Sequence, residues 1–204
     1  MEGFNAMRST FKVIVINKKK VGIIVVILGL MITLLGISKQ FDNKLKTTIL
    51  VENNIKLLND YAAINGKVTY KLPVGWTTRE RKFPGDEIMY HNDFQSSDAV
   101  IHGFVEVWKG RQDLKAFLDK SKNISEDQNE IKNYKIADSI INGKKAYLVQ
   151  YLINTNNDNW YKAYEYFVDG GQQFYRISFF TREVNFKETY AAIFQSIVET
   201  LKIK

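Results

Sequence analysis

The sequence predicts an α+β protein, in which one transmembrane helix precedes an antiparallel sheet of about six to seven strands packed with helices. Three observations support this prediction. Residues 21–37 contain no charged, amide or proline side chain. From residue 68 onwards, short apolar segments alternate with Asn-Gly and Gly-Gly turn signals, as in antiparallel hairpins. The C-terminal segment then carries apolar residues at helical spacing, which is typical of a helix that covers a sheet.

Residues 21–37 have the length and composition of a membrane-spanning helix. At about 1.5 Å per residue the segment covers about 25 Å, close to the hydrocarbon thickness of about 30 Å. Lipid offers no hydrogen-bond partners to the backbone, so the segment must be helical. The alternative is a cleaved signal peptide, because Gly36 and Ser38 are small enough for a cleavage site. The apolar run is longer than the usual 7–15 residues or so of such peptides, which favours a retained anchor.

The charges that flank this span predict its orientation. Residues 1–20 hold five basic residues against one acidic residue, a net charge of +4, whereas residues 38–66 carry only +1. Positive residues in short loops remain on the cytoplasmic side. We therefore expect a single-pass protein of the cell membrane, with a basic cytoplasmic tail over residues 1–20 and an extracellular C-terminal domain.

The basic composition does not indicate nucleic-acid binding. The chain has a formal net charge of +7, but residues 67–204 hold twenty basic and eighteen acidic residues and so carry only +2. The excess charge lies mainly on the predicted cytoplasmic tail, where it sets topology. The chain has no cysteine, which excludes disulfides, thiolate metal sites and a cysteine nucleophile.

Residues 38–66 place apolar side chains at roughly helical spacing and end at Gly66. They predict a stalk or packing helix, although residues 47–51 could instead form a strand. Strands are predicted at residues 68–72, 87–91 and 100–109.

A helix over residues 111–122 is expected next, because Leu114, Phe117 and Leu118 share one side of it. Asp113 suits the positive first turn of that helix, and residues 123–133 read as a charged loop.

Four strands in two hairpins follow. Asn142-Gly143 joins residues 134–141 to residues 145–154, and this dipeptide suits a type I′ turn because both central residues need positive φ. A second hairpin joins residues 160–168 to residues 173–181 through Asp169-Gly170-Gly171. The closing helix is predicted to start at an Asn185 cap. Its apolar side is formed by Phe186, Tyr190, Ile193, Phe194, Ile197, Val198 and Leu201.

Residues 67–204 resemble the PsbP-like family. The resemblance rests on VTYKLPVGW at residues 68–76, the Asn142-Gly143 hairpin, the long tyrosine-bearing strands and FQSIV in the final helix. It implies an αβα domain over residues 67–204. The family includes extrinsic proteins of photosystem II and many secreted or membrane-anchored bacterial relatives. The resemblance implies a binding or accessory role, and nothing in the chain points to a photosystem.

Two polar clusters are candidate sites. His91, Asp93, His102 and Glu106 have metal-ligand side chains, but their spacing fits no zinc signature, so solvated histidines and no metal site are predicted. Arg79, Arg81 and Lys82 could hold an anionic polymer or lipid headgroup through guanidinium forks. Glu80 and Asp86 lie beside them, which favours a mixed, solvated loop.

The most unusual feature is the abundance of tyrosine, eleven in all. Tyr164, Tyr166 and Arg176 alternate along neighbouring predicted strands, and Tyr and Arg are residue types that anchor interfaces. We expect these three side chains to share one exposed face and to bind a partner. The alternative is that these tyrosines only pack the sheet.

No catalytic triad, phosphate loop or dinucleotide fingerprint appears in the sequence. The chain is therefore predicted not to be an enzyme and to need no cofactor. Its expected partners are the lipid bilayer, through residues 21–37, and a protein or cell-envelope component. The favoured function is a membrane-anchored, non-catalytic extracytoplasmic binding module, and the alternative is a single-span scaffold subunit of an envelope or conjugative secretion assembly.

Overall fold

The computed structural model describes residues 57–110, 113–155 and 159–204, without the side chains of residues 126–128. Its helices are α1 (Leu114–Gln128) and α2 (Thr189–Val198), with a 3₁₀ turn at Glu183–Asn185. The strands, in chain order, are β1 (Leu58–Ala63), β2 (Val68–Pro73), β3 (Thr77–Arg81), β4 (Ile88–Gln95), β5 (Ile101–Lys109), β6 (Ile131–Ile141), β7 (Lys144–Thr155), β8 (Asn159–Asp169), β9 (Gln173–Arg182) and β10 (Lys202–Ile203).

The strands form two antiparallel sheets. The large sheet has seven strands in the order β3-β4-β5-β9-β8-β7-β6, and the small sheet has the order β1-β2-β10. The predicted α+β class with an antiparallel sheet is confirmed. Among the described residues, neither helix has the length and apolar character needed to cross a membrane. The span predicted at residues 21–37, the tail before it and the stalk up to residue 56 lie outside the described residues.

The helix predicted over residues 38–66 is wrong at its C-terminal end, and the sheet begins earlier than residue 67. Residues 58–63 form β1, which pairs with β2 from Leu58 opposite Pro73 to Ala63 opposite Val68. The turn between them has positive φ at Ile64, Asn65 and Gly66. Gly66 therefore lies in the hairpin turn between β1 and β2 and does not terminate a helix.

Three other boundaries differ from the prediction. The stretch with Arg79 and Arg81 is strand β3 rather than a loop. Helix α1 continues through most of the predicted charged loop, and Asp113 caps it by accepting a hydrogen bond from the Ala116 amide at 3.1 Å. Asn185 lies in the 3₁₀ turn, so it does not cap α2.

Both hairpins predicted in the second half are confirmed. Asn142 and Gly143 have φ values of 49° and 78° between β6 and β7. Asp169 pairs with Phe174 at the end of the β8–β9 hairpin. The side chain of Asn142 also donates to the carbonyl of Leu201 at 2.7 Å, and so joins this turn to the end of the chain.

We call one side of the large sheet the inner face. It packs against α2 and the small sheet, and the rings of Phe179 and Phe194 stack at 4.3 Å between centroids. Trp76, which follows β2, is half-buried and packs on Phe94. The buried residues of the large sheet on this side include Phe94, Val105, Val107, Tyr164, Tyr166, Val168, Tyr175, Ile177 and Phe179.

The opposite side, the outer face, is only partly covered by the part of the chain that the structure describes. Helix α1 lies on it through Leu114, Phe117 and Leu118, which form a second core with Tyr147, Val149, Phe167, Phe174 and the partly buried Trp108. Toward β3 and the far ends of β7, β8 and β9, the outer face borders an open groove.

Candidate functional site

The open groove is a concavity on the outer face. It encloses about 660 Å³, a volume within the range of about 300–1,000 Å³ typical of ligand sites. Strands β3, β4, β5, β7, β8 and β9 all contribute to its lining. The lining residues are Thr77, Thr78, Arg79, Arg81, Asp93, Phe94, Gln95, His102, Gly103, Phe104, Ile153, Thr155, Tyr161 and Phe180.

Aromatic rings form the floor of the groove. His102 stacks on Phe180 at 5.7 Å between centroids and meets Tyr161 edge-on at 5.4 Å, and Phe104 lies 6.0 Å from Phe180. His102 remains exposed, but partial loss of hydration between these rings lowers its pKa below the ordinary value of 6.5, because it disfavours the charged imidazolium. The floor is therefore aromatic and uncharged at neutral pH.

Two arginines of β3 form one wall. Arg81 makes an ion pair with Asp93 on the neighbouring strand. Arg79 is exposed, and no described residue provides its side chain with an ion-pair or hydrogen-bond partner. With Asp93 neutralising one guanidinium, the wall retains a positive charge at Arg79.

A series of charged side chains, which we call the ionic chain, runs from this wall across the outer face. His91 contacts Asp93 through Nε2 at 2.9 Å and Glu106 through Nδ1 at 2.8 Å. Arg176 then joins Glu106, at 3.3 Å from Nη1, to Glu165, at 2.7 Å from Nε. This chain crosses strands β4, β5, β9 and β8, and it packs between the groove and the helix-covered part of the face.

The carboxylates at the centre of the chain are fully engaged. Glu165 also accepts from Tyr151 at 2.5 Å and from Ser178 at 2.6 Å, and Glu106 accepts from the Trp108 indole at 2.7 Å. Burial alone would lower the pKa of Arg176, but the two carboxylates raise it above its ordinary value. The network is thus internally satisfied, which is the condition under which buried charges are tolerated.

The structure separates the three residues predicted to bind a partner. Tyr164 and Tyr166 pair with Phe179 and Ile177 on the inner face, and they are only 5% and 4% exposed. Tyr164 packs on the rings of Phe186 and Phe194.

Arg176 pairs instead with Phe167 and points to the outer face. The prediction of one shared, exposed face is therefore wrong. The tyrosines belong to the core beneath α2, and the arginine belongs to the ionic chain.

The two histidines do not form a joint site. His91 lies opposite Glu106 in the β4–β5 ladder, whereas His102 lies opposite Gln95, four residues further along β4. Both ring nitrogens of His91 already contact carboxylates. Within the described residues, no group of three or more His, Cys, Asp or Glu side chains is arranged to hold a metal ion.

Sequence reasoning grouped His91, Asp93 and Glu106, but it missed their link through Arg176 to Glu165, and it missed the aromatic floor. The sequence did contain a signal for the ionic chain. Glu106, Glu165 and Arg176 are each the single charged residue within an apolar stretch of strand. Buried charges of opposite sign must pair. No comparable signal marked Phe104 and Phe180, since aromatic residues line both faces of these strands.

Comparison with solved structures finds cyanobacterial PsbP (CyanoP) from Synechocystis, at 13% identity and a TM-score of 0.52, covering 72% of this chain and 92% of that chain. A Pseudomonas aeruginosa protein of unknown function also matches, at 13% identity and a TM-score of 0.47, with 72% and 97% of the two chains covered. LpqN, involved in cell envelope biogenesis of Mycobacterium tuberculosis, matches at 11% identity and a TM-score of 0.44, with 72% and 91% covered.

No family model and no curated protein matches the sequence. At 13% identity, the similarity to cyanobacterial PsbP is evidence about the fold alone. The described domain has a PsbP-like fold, and the resemblance predicted from the sequence is confirmed at that level.

Proposed function

We propose that this chain is a non-catalytic binding module, held at the outer surface of a bacterial cell membrane, which presents the open groove to a protein or cell-envelope partner. The observation that carries the proposal is the groove itself, where an uncharged aromatic floor lies beside the Arg79 guanidinium, which has no ion-pair or hydrogen-bond partner among the described residues. Aromatic and arginine side chains are the types that dominate binding energy at interfaces.

The arrangement of titratable groups favours binding over catalysis. The charged side chains at the centre of the ionic chain bond to one another and are buried or nearly so. A general acid or base must instead reach the proton that it transfers. On the groove side, Asp93 is held by Arg81 and His91. His102 is exposed, but no described residue forms a hydrogen bond that would orient its ring for proton transfer.

The membrane anchor of this proposal rests on the apolar run at residues 21–37 and on the charge difference across it. Protease added to intact, wall-stripped cells is expected to digest residues beyond Ser38 and to leave a small membrane-bound fragment. Release of a soluble form that begins near Lys39 would contradict a retained anchor.

The groove is tested by a photo-crosslinking residue placed in the full chain in living cells. Gln95 and Thr155 are exposed lining positions, and Val184 is an exposed control position outside the lining. We expect the same crosslinked partner from Gln95 and Thr155, and no such partner from Val184. The adduct should disappear when Phe180→Ala is added, because that change removes part of the floor.

Two results would argue against this assignment. One is an identical set of adducts from Val184, which would indicate random collision. The other is an adduct at Gln95 and Thr155 that survives both Phe180→Ala and Arg79→Ala, which would place the contact outside the groove. Folding of each variant is checked by its melting temperature in detergent.

A further inference from the structure

Within the described residues, strand β3 is an edge of the large sheet and pairs only with β4. All five of its residues are exposed, and the side of the strand that faces away from β4 has no backbone hydrogen-bond partner among those residues. Such an edge offers a row of free amide and carbonyl groups to another extended chain. The same strand forms the arginine wall of the groove.

The opposite edge of the sheet is built differently. Strand β6 has eleven residues, but its pairing with β7 is interrupted between Lys132 and Lys135. A bulge of this kind twists an edge and discourages the addition of another strand. The pairing of β3 with β4 runs without interruption from Thr77 to Arg81, so β3 is the edge better suited to accept a strand.

The charges on β3 indicate which kind of incoming strand this edge would bind. Thr77, Arg79 and Arg81 alternate onto the groove side, whereas Glu80 points to the other side and accepts from Tyr90 at 3.2 Å. Arg81 is already paired with Asp93. Arg79 is therefore the arginine of β3 that remains available to an incoming side chain. A carboxylate can accept two parallel hydrogen bonds from such a guanidinium.

We propose that the partner supplies an extended acidic peptide segment, which adds to the free edge of β3 as an eighth strand and places an Asp or Glu side chain against Arg79. This inference rests on the proposed function, because it names the partner of the groove. Side chains of an added strand alternate between the two faces, so every second residue lies on the groove side. The backbone ladder supplies affinity, and the carboxylate supplies selectivity.

The experiment uses the full chain in nanodiscs of neutral lipid and a fluorescently labelled probe peptide of alternating valine and glutamate. Three comparison peptides are measured: one with lysine in place of glutamate, one with N-methylated amides on its pairing edge, and one with scrambled order. N-methylation removes the ladder donors without changing charge, so it isolates the backbone contribution. Hydrogen exchange at residues 77–81 is followed in parallel.

We expect the glutamate peptide to bind at least about tenfold more tightly than the lysine and N-methylated peptides. Binding should slow amide exchange in β3 and leave β6 unchanged. Arg79→Glu should weaken binding by at least about tenfold and shift the preference toward the lysine peptide. Lys202→Glu is the matched control, because Lys202 is an exposed cation on the small sheet, and it should leave affinity unchanged.

Equal affinity of the N-methylated and parent peptides, or unchanged exchange in β3, would overturn strand addition. An Arg79→Glu variant that binds as the parent protein does would overturn the role of Arg79. If the glutamate peptide fails while the groove crosslinks in cells persist, the strand proposal falls and the groove remains a binding site. Loss of those crosslinks would instead remove the proposed function.

Discussion

The two faces of the large sheet differ in how they are closed and in what they bury. The inner face is covered by α2 and the small sheet, and its buried side chains are mainly aromatic and aliphatic. Among the described residues, the outer face is covered by α1 over only one part, and it carries the ionic chain from Arg81 to Glu165 next to the open groove. Most of the buried apolar side chains therefore lie on the inner face, and the proposed binding surface lies on the outer face.

Charged side chains lie in the middle of the outer face, where Glu106 and Glu165 are buried. Buried charges are tolerated when they pair with one another. The ionic chain occupies that position with groups that bond to one another. Helix α1 then closes over the apolar remainder, so the groove stays open beside a rigid support.

The largest effect should come from adjacent residues of β9 that point to opposite faces. Phe179 is fully buried on the inner face, and Phe180 is half-buried at the groove. Phe179→Ala should lower the free energy of unfolding by about 3–5 kcal/mol, and Phe180→Ala by less than half as much. Denaturant unfolding of the two variants measures the contrast. Equal losses would show that the outer face contributes as much to the core as the inner face does.

A somewhat smaller effect is expected from two arginines on the same face of β9. Arg176→Ala leaves Glu106 and Glu165 without their shared cation, and should cost about 3 kcal/mol. Arg182→Ala removes an exposed side chain that contacts Asn159, and should change stability by less than about 0.5 kcal/mol. Adding Glu165→Gln to Arg176→Ala should recover part of the loss. If Arg176→Ala lowers stability no more than Arg182→Ala does, the ionic chain does not stabilise the outer face.

The hairpins show how far the fold follows from local sequence. Asn142-Gly143 predicted its turn correctly because both residues adopt positive φ. Asn65-Gly66 carries the same signal and has the same conformation, with φ values of 53° and 77°. The prediction took Gly66 as the end of a helix, on the helical spacing of the apolar residues before it, yet pairing with β2 determines the structure. Tertiary pairing overrides weak local periodicity in this segment.

The assignment of faces could not be read from the sequence, because it depends on register. Tyr164 pairs with Phe179, so even-numbered residues of β8 share a face with odd-numbered residues of β9. A register shifted by one residue would have placed Arg176 beside the tyrosines, as predicted. The alternation of apolar and polar residues within β9 does not reveal the correct register, since both faces of the strand are largely buried. The candidate site was therefore only partly predictable, through the arginines of β3 and the isolated charges.

Removal of two tyrosine hydroxyls, one on each face, should give a smaller difference in stability. Tyr151 donates to Glu165 on the outer face, so Tyr151→Phe should cost about 1–3 kcal/mol by leaving a carboxylate oxygen unpaired. Tyr166 is buried on the inner face without a described hydrogen-bond partner for its hydroxyl. Tyr166→Phe should change stability by less than about 0.5 kcal/mol. Thermal unfolding of both variants decides the point, and a reversed order would mean that hydroxyl bonding stabilises the inner face.

The smallest expected effect is a dependence of stability on pH that comes from the groove floor. Partial loss of hydration lowers the pKa of His102 below the 6.5 of the unfolded chain, so between the two values the unfolded state binds more protons. Stability contributed by neutral His102 is therefore complete above about pH 6.5 and is lost as pH falls through the folded-state pKa.

His102→Gln should flatten this part of the stability profile, whereas Gln95→Ala, at the paired position on β4, should leave it unchanged. A profile that keeps its slope in His102→Gln would mean that another group, and not the groove floor, titrates there. A bound acidic segment should raise the pKa of His102 by placing a carboxylate near the groove, so the same titration in the presence of the probe peptide links the outer face to its partner.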